Sequence, residues 1–148
     1  MDKIEATQKN FLEGCNCCQA VLLSYAQEFG MDEKTALRIS GNFGAGYGKV
    51  REVCGAVSGM TMVAGLAKGY DEVNNAAAKA AAYDLERKIV EEFRARNGAL
   101  TCRELLEIQE KYKESGLLPN KEPFNTQRPC IYLVKSATEI LEKDVFDR

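Results

Sequence analysis

Residues 54–59 read Cys54-Gly55-Ala56-Val57-Ser58-Gly59, and this segment is the most informative part of the chain about its fold. A thiol opens an apolar segment in which two glycines, Gly55 and Gly59, are four positions apart and so share one face of a helix. Because glycine has no side chain, this face lets a neighbouring helix approach closely. A glycine-rich run at 41–48 precedes the segment. The pattern predicts a tight loop that enters a small-residue helix, with the Cys54 thiol at the helix start.

Helical spacing of apolar residues continues on both sides of this stretch. Two capping boxes mark helix starts, one formed by Asn16 with Gln19 and one by Thr101 with Glu104. No segment shows the alternation that is typical of a strand. Helices are expected over about 16–29, 32–43, 53–68, 73–97, 101–113 and 129–145. The sequence therefore predicts an all-α fold, a single-domain bundle of about six helices that covers residues 1–148.

Composition limits the classes of function. The chain has 148 residues and a net charge of −2, so it lacks the overall positive charge that attracts nucleic acid. Residues 1–10 are polar and lack the apolar centre of a signal peptide. The longest apolar run, Met60–Ala67, is too short to cross a bilayer. We expect a cytoplasmic protein without membrane insertion and without a nucleic-acid partner.

The chain contains six cysteines and no histidine. In a reducing compartment a structural disulfide framework is not expected, so metal binding and redox chemistry gain weight. The lack of histidine removes cysteine–histidine nucleophile pairs, histidine-ligated zinc and the C-x-x-C-H haem attachment sequence. A bound metal would have to be held by sulfur, oxygen or backbone groups.

Four cysteines lie beside predicted helix starts: Cys17, Cys54, Cys102 and Cys130. The unpaired N–H groups of a helix start favour a thiolate over a thiol and lower the thiol pKa. The alternative is that each cysteine is a small buried hydrophobe. Cys18 lies on the apolar stripe of its helix, and with Cys15 it forms a C-x-x-C pair that could close a local disulfide or bind one metal.

Three segments together resemble the C_GCAxxG_C_C family of redox-active proteins: Asn16-Cys17-x-Gln19-Ala20-Val21, Phe43-Gly44-x-Gly46 and Val53–Gly59. The single cysteines Cys102 and Cys130 complete the family's order of four. The resemblance implies that the four helix-start cysteines are the family cysteines, and that the remaining two are extra. It implies redox activity and leaves substrate and cofactor open. Some similar proteins are multi-cofactor electron-transfer proteins, but the haem attachment sequence is lacking here.

Three interpretations stay open at this point. The first is a thiol-dependent oxidoreductase in which Cys54 is the nucleophile and another family cysteine resolves it into a disulfide. The second is an iron–sulfur or zinc protein that uses the four family cysteines, with Cys15 and Cys18 as additional ligands. The third is a helical interaction protein whose cysteines are inert. The redox partner is unknown, and a homodimer is compatible with each interpretation.

Overall fold

The computed structural model describes residues 2–119 and 130–148. In this part of the chain the secondary structure is helical, with one isolated β-bridge between Val53 and Thr101. Seven helices are longer than five residues: α1 Lys3–Leu12, α2 Cys17–Ala26, α3 Glu33–Gly41, α4 Gly55–Lys68, α5 Ala76–Asn97, α6 Cys102–Lys111 and α7 Ile131–Ile140. The prediction of an all-α fold is confirmed. The six predicted helices correspond to α2–α7, and α1 is additional.

Helix α1 escaped prediction because polar groups, rather than an apolar stripe, attach it to the rest of the fold. Its N-cap is Asp2, whose carboxylate accepts a hydrogen bond from the backbone N–H of Glu5 at 2.8 Å. Thr7, in the middle of the helix, is fully buried. Its hydroxyl is 2.8 Å from the Ser24 hydroxyl and accepts a hydrogen bond from Thr138 at 3.0 Å. Hydrophobic periodicity cannot reveal a helix that is held in this way.

The capping box predicted at Asn16 is formed at the start of α2, whereas at the start of α6 only the N-cap bond of Thr101 is formed, because the Glu104 carboxylate accepts from the Thr101 hydroxyl and not from its backbone N–H. Asn16 accepts a hydrogen bond from the Gln19 backbone N–H at 2.9 Å, and the Gln19 side chain accepts one from the Asn16 N–H at 3.1 Å. At α6, the Thr101 hydroxyl accepts a hydrogen bond from the Glu104 N–H at 3.2 Å. Local sequence therefore defines both starts. The predicted role of Pro129 in the last helix lies outside the described residues.

Helix α2 crosses the small-residue face of α4. A methyl group added to Gly59 would lie 2.9 Å from the Val21 side chain and 3.0 Å from the Cys18 carbonyl oxygen. One added to Gly55 would lie 3.0 Å from the Cys18 backbone nitrogen. The predicted close helix approach is confirmed, and it occurs within one chain. This glycine face is therefore already filled and is not free to form a dimer.

The hydrophobic core lies between α2, α4, α5 and α7. Its largest buried side chains include Tyr25 on α2, Met60 on α4, Phe93 on α5 and Ile140 on α7. This core holds the starts of α2, α4 and α7 in fixed positions relative to one another. Within the described ranges, no helix combines the length and the apolar character needed to cross a membrane.

Candidate functional site: the thiol cavity

Four cysteines at four helix starts line one cavity of about 200 Å³. Cys17 and Cys102 are the first residues of α2 and α6. Cys54 and Cys130 immediately precede α4 and α7. The helix-start positions predicted for all four are confirmed, and the fold brings them together. We call this space the thiol cavity.

A short antiparallel contact places the starts of α4 and α6 side by side. The Val53–Thr101 bridge is flanked by two backbone hydrogen bonds. The Cys54 N–H donates to the Leu100 carbonyl at 2.8 Å, and the Cys102 N–H donates to the Glu52 carbonyl at 2.6 Å. Cys54 directly follows Val53, and Cys102 directly follows Thr101, so each cysteine comes just after a residue of the bridge. Their thiols therefore enter the cavity from adjacent positions, although many residues separate them in the sequence.

The glycine-rich loop before α4 is tightly wound. Gly46 has φ +67°, a conformation that costs glycine little. A methyl group at this position would lie 2.7 Å from the Glu52 backbone nitrogen and 2.8 Å from the Arg51 Cα. The Glu52 N–H donates to the Gly46 carbonyl at 3.1 Å, which closes the loop. The tight loop predicted beside Cys54 is confirmed, and its closure carries Arg51 into the cavity.

Arg51 is the charged residue of the thiol cavity. Its Nη1 donates a hydrogen bond to the Cys102 Sγ at 3.4 Å. It is the only charged residue among the described residues that line the cavity. Sequence reasoning missed it, because a single arginine in a loop carries no signal until the loop closes. Its position supplies positive charge where the thiols converge.

Cys17 and Cys130 are neighbouring thiols of the cavity, and each changes the pKa of the other. The side-chain interaction with Cys130, followed by burial, raises the pKa of the Cys17 thiol well above its usual range. The same interaction lowers the pKa of the Cys130 thiol, and the Arg51 charge lowers it further against the opposing effect of burial. The favoured arrangement is a Cys17 S–H that donates to a Cys130 thiolate. Of the described cysteines, Cys130 is the one with a lowered pKa.

The pKa of Cys54 is set mainly by burial. Burial raises the pKa of its thiol to about 12, although hydrogen bonds from the Ala56 and Val57 backbone N–H groups oppose the rise. The helix start therefore does interact with the sulfur, as predicted. The two donors do not lower the pKa of Cys54 below its usual value, because desolvation of a thiolate inside the core outweighs them.

Cys15 and Cys18 do not line the thiol cavity. The Cys18 thiol donates to the Met62 sulfur at 3.9 Å, and burial raises its pKa to about 12. Burial also raises the pKa of the Cys15 thiol, and the negative charges of the nearby Glu13 and Glu33 carboxylates raise it further. A ligand in the cavity would have to be held without these two thiols. In the described part of the chain, no group of three or more cysteine, aspartate or glutamate side chains is arranged to hold a metal ion.

The chain is therefore an all-α protein in which four thiols at helix starts surround one cavity. The chain belongs to the C_GCAxxG_C_C family, whose model, described as "Putative redox-active protein", matches residues 15–143. This segment contains all four cysteines of the thiol cavity, and the family expected from the sequence is confirmed. Neither the curated proteins nor the solved structures contain a match to the chain.

Proposed function

We propose that the protein is a dithiol–disulfide oxidoreductase in which Cys130 and Cys17 are the reacting pair. The observation that carries this proposal is that Cys17, Cys130 and Arg51 line one cavity, where the interaction of the two thiols raises the pKa of Cys17 and lowers that of Cys130. A thiolate is the reacting species in disulfide exchange, so Cys130 is the nucleophile. Cys17 is the adjacent thiol that resolves the first product.

Exchange with a disulfide of a redox partner proceeds in two displacements. The Cys130 thiolate attacks one sulfur of the partner's disulfide, that bond breaks, and the second partner sulfur leaves as a thiolate. The Cys17 thiol then loses its proton to this thiolate and attacks the Cys130 sulfur. The Cys17–Cys130 disulfide forms as the first partner sulfur leaves as a thiolate, which takes up a proton from solvent. Two electrons pass from the protein dithiol to the partner, which becomes a dithiol.

Cys54 and Cys102 support this pair without reacting first. Because the pKa of Cys54 is about 12, its thiol stays neutral at physiological pH and adds no negative charge beside Cys130. Cys102 accepts the Arg51 hydrogen bond and so helps to fix the guanidinium beside the pair. We therefore assign the nucleophile to Cys130 rather than to Cys54.

Mapping the disulfide tests the proposal. The reduced protein is treated with diamide, a thiol oxidant, and the remaining thiols are alkylated before peptide mass spectrometry. We expect two thiols to be lost and a Cys17–Cys130 linked peptide to appear. Cys15→Ala is the matched control and should leave this product unchanged. A disulfide that excludes Cys130, or no disulfide at all, would contradict the assignment.

The same preparation tests the metal interpretation. Protein purified without oxygen is assayed for iron, zinc and acid-labile sulfide before oxidation. We expect two thiols to react with diamide in metal-free protein. The contradicting result is stoichiometric iron with sulfide, or stoichiometric zinc, in the purified protein. If the metal is lost when Cys17 and Cys130 are replaced by alanine, the cavity is a metal centre.

A cytoplasmic location suits this chemistry, because a reducing compartment returns the Cys17–Cys130 disulfide to the dithiol that reacts. A homodimer would need a surface other than the glycine face of α4. The first half of α5 supplies one, since Ala77, Ala80 and Ala81 are exposed there beside Tyr83. Light scattering at increasing concentration tests the dimer, and a constant monomer mass would refute it.

A further inference from the structure

The segment that carries Arg51 into the thiol cavity has an unfavourable backbone conformation. Arg51 has φ +70°, and the non-glycine residues Ala45, Tyr47 and Lys49 before it have φ between +56° and +74°. This left-handed region is sterically unfavourable for a residue that carries a Cβ. Several such residues in one loop persist only where the surrounding structure holds them in place. The contacts made to this segment therefore decide where the Arg51 side chain lies.

The start of α6 supplies these contacts. The backbone N–H of Arg103, the second residue of the helix, donates to the Arg51 carbonyl at 3.2 Å. The Arg103 side chain donates through Nη2 to the Val50 carbonyl, also at 3.2 Å. The Cys102 N–H binds the next carbonyl, that of Glu52. The first two residues of α6 thus bind three consecutive carbonyl groups, those of residues 50–52.

The two arginines act on opposite sides of this segment. The Arg51 guanidinium lines the cavity and donates to the Cys102 sulfur at 3.4 Å. Arg103 is exposed and is not among the residues that line the cavity. The charge that lowers the pKa of the Cys130 thiol comes from Arg51. Arg103 therefore reaches the thiols through the placement of Arg51.

Building on the proposed function, we propose that Arg103 is a positioning residue for the thiol–disulfide reaction, because its side chain fixes the Val50 carbonyl and so holds the Arg51 guanidinium at the thiols. Of the three bonds from α6 to residues 50–52, this one is made by a side chain. A substitution at position 103 removes it and leaves the two backbone bonds in place. The loop then gains other conformations, and Arg51 spends less time beside Cys130.

The pH dependence of Cys130 alkylation tests the proposal. Arg103→Met removes the guanidinium and keeps a long apolar side chain. We expect the midpoint of iodoacetamide labelling to move to higher pH, by less than in Arg51→Met, and the rate at neutral pH to fall about two- to threefold. The plateau rate at high pH should stay the same. A cavity that is merely loosened would raise the plateau rate and leave the midpoint in place.

A double variant shows whether Arg103 acts through Arg51. If it does, Arg51→Met/Arg103→Met has the same midpoint as Arg51→Met alone, since no guanidinium remains to be positioned. Lys111→Met is the matched control, because it removes one positive charge from an exposed site at the other end of the same helix. It should leave the Cys130 midpoint unchanged.

The outcomes separate this proposal from the proposed function. An unchanged midpoint in Arg103→Met overturns the positioning role. A further shift when Arg103→Met is added to Arg51→Met also overturns it, because the Arg103 charge would then act directly. In both cases a diamide-formed Cys17–Cys130 disulfide leaves the proposed function standing. If diamide does not form that disulfide, the proposed function fails, while a midpoint shift that depends on Arg51 still supports the placement of Arg51 by Arg103.

Discussion

Replacing Gly59 with alanine should destabilise the fold, although alanine is the better helix former. A methyl group at position 59 would lie 2.9 Å from the Val21 Cβ and 3.0 Å from the Cys18 carbonyl oxygen. These atoms belong to the backbone or the first side-chain carbon of α2, so they cannot move without moving the helix. Overpacking of this kind costs about 1–3 kcal/mol.

Gly65→Ala is the matched control on the same helix. An added methyl group at Gly65 has no neighbour within 4 Å, so this variant gains only the helix preference of alanine, about 0.5–1 kcal/mol. That gain is common to both substitutions and cancels in their comparison. The Gly59→Ala variant should therefore be about 1–3 kcal/mol less stable than Gly65→Ala, a melting-temperature difference on the order of 2–12 °C for a chain of this size.

Urea unfolding followed by far-ultraviolet circular dichroism measures the free energy of unfolding of both variants. The two-state slope should be the same for each. If Gly59→Ala is as stable as Gly65→Ala, the close crossing of α2 over α4 is not what requires glycine at this position, and the packing argument fails.

The remaining predictions concern the thiols and one helix cap. In pH-dependent iodoacetamide labelling, the alkylation of Cys130 should have its midpoint below the usual cysteine pKa. Arg51→Met should move this midpoint to higher pH, because the thiolate loses a positive neighbour. An unchanged midpoint in the variant would contradict this prediction. Cys18→Ala should leave the diamide-formed disulfide intact, as shown by peptide mapping, because Cys18 lies outside the cavity, and loss of the disulfide would place it in the site. Asn16→Ala should lower the free energy of unfolding, measured in urea, by about 1–2 kcal/mol. The loss should exceed that of Asn75→Ala, another N-cap variant, because Asn16 also donates to the Gly41 carbonyl at 2.9 Å. Equal losses would show that this second bond contributes nothing.

Much of the fold was predictable because helix formation is largely local. The apolar spacing and the two capping boxes identified α2–α7 to within a few residues, and Gly55 and Gly59 predicted a close helix crossing. Helix α1 was missed because Thr7 attaches it through hydroxyl contacts with residues far away in the sequence. A polar contact of that kind leaves no periodic pattern.

The chemistry of the site was only half predictable. Helix caps and glycines are local signals, so they predicted which four thiols stand at helix starts. Packing of the helices brings them to one cavity and places Arg51 in its wall. It also decided which thiol has the lowered pKa, since burial outweighs two backbone donors at Cys54 while Cys17 and Arg51 favour a thiolate at Cys130. Both the desolvation of a thiol and its distance from charged side chains depend on how the helices pack, so neither can be read from local sequence signals.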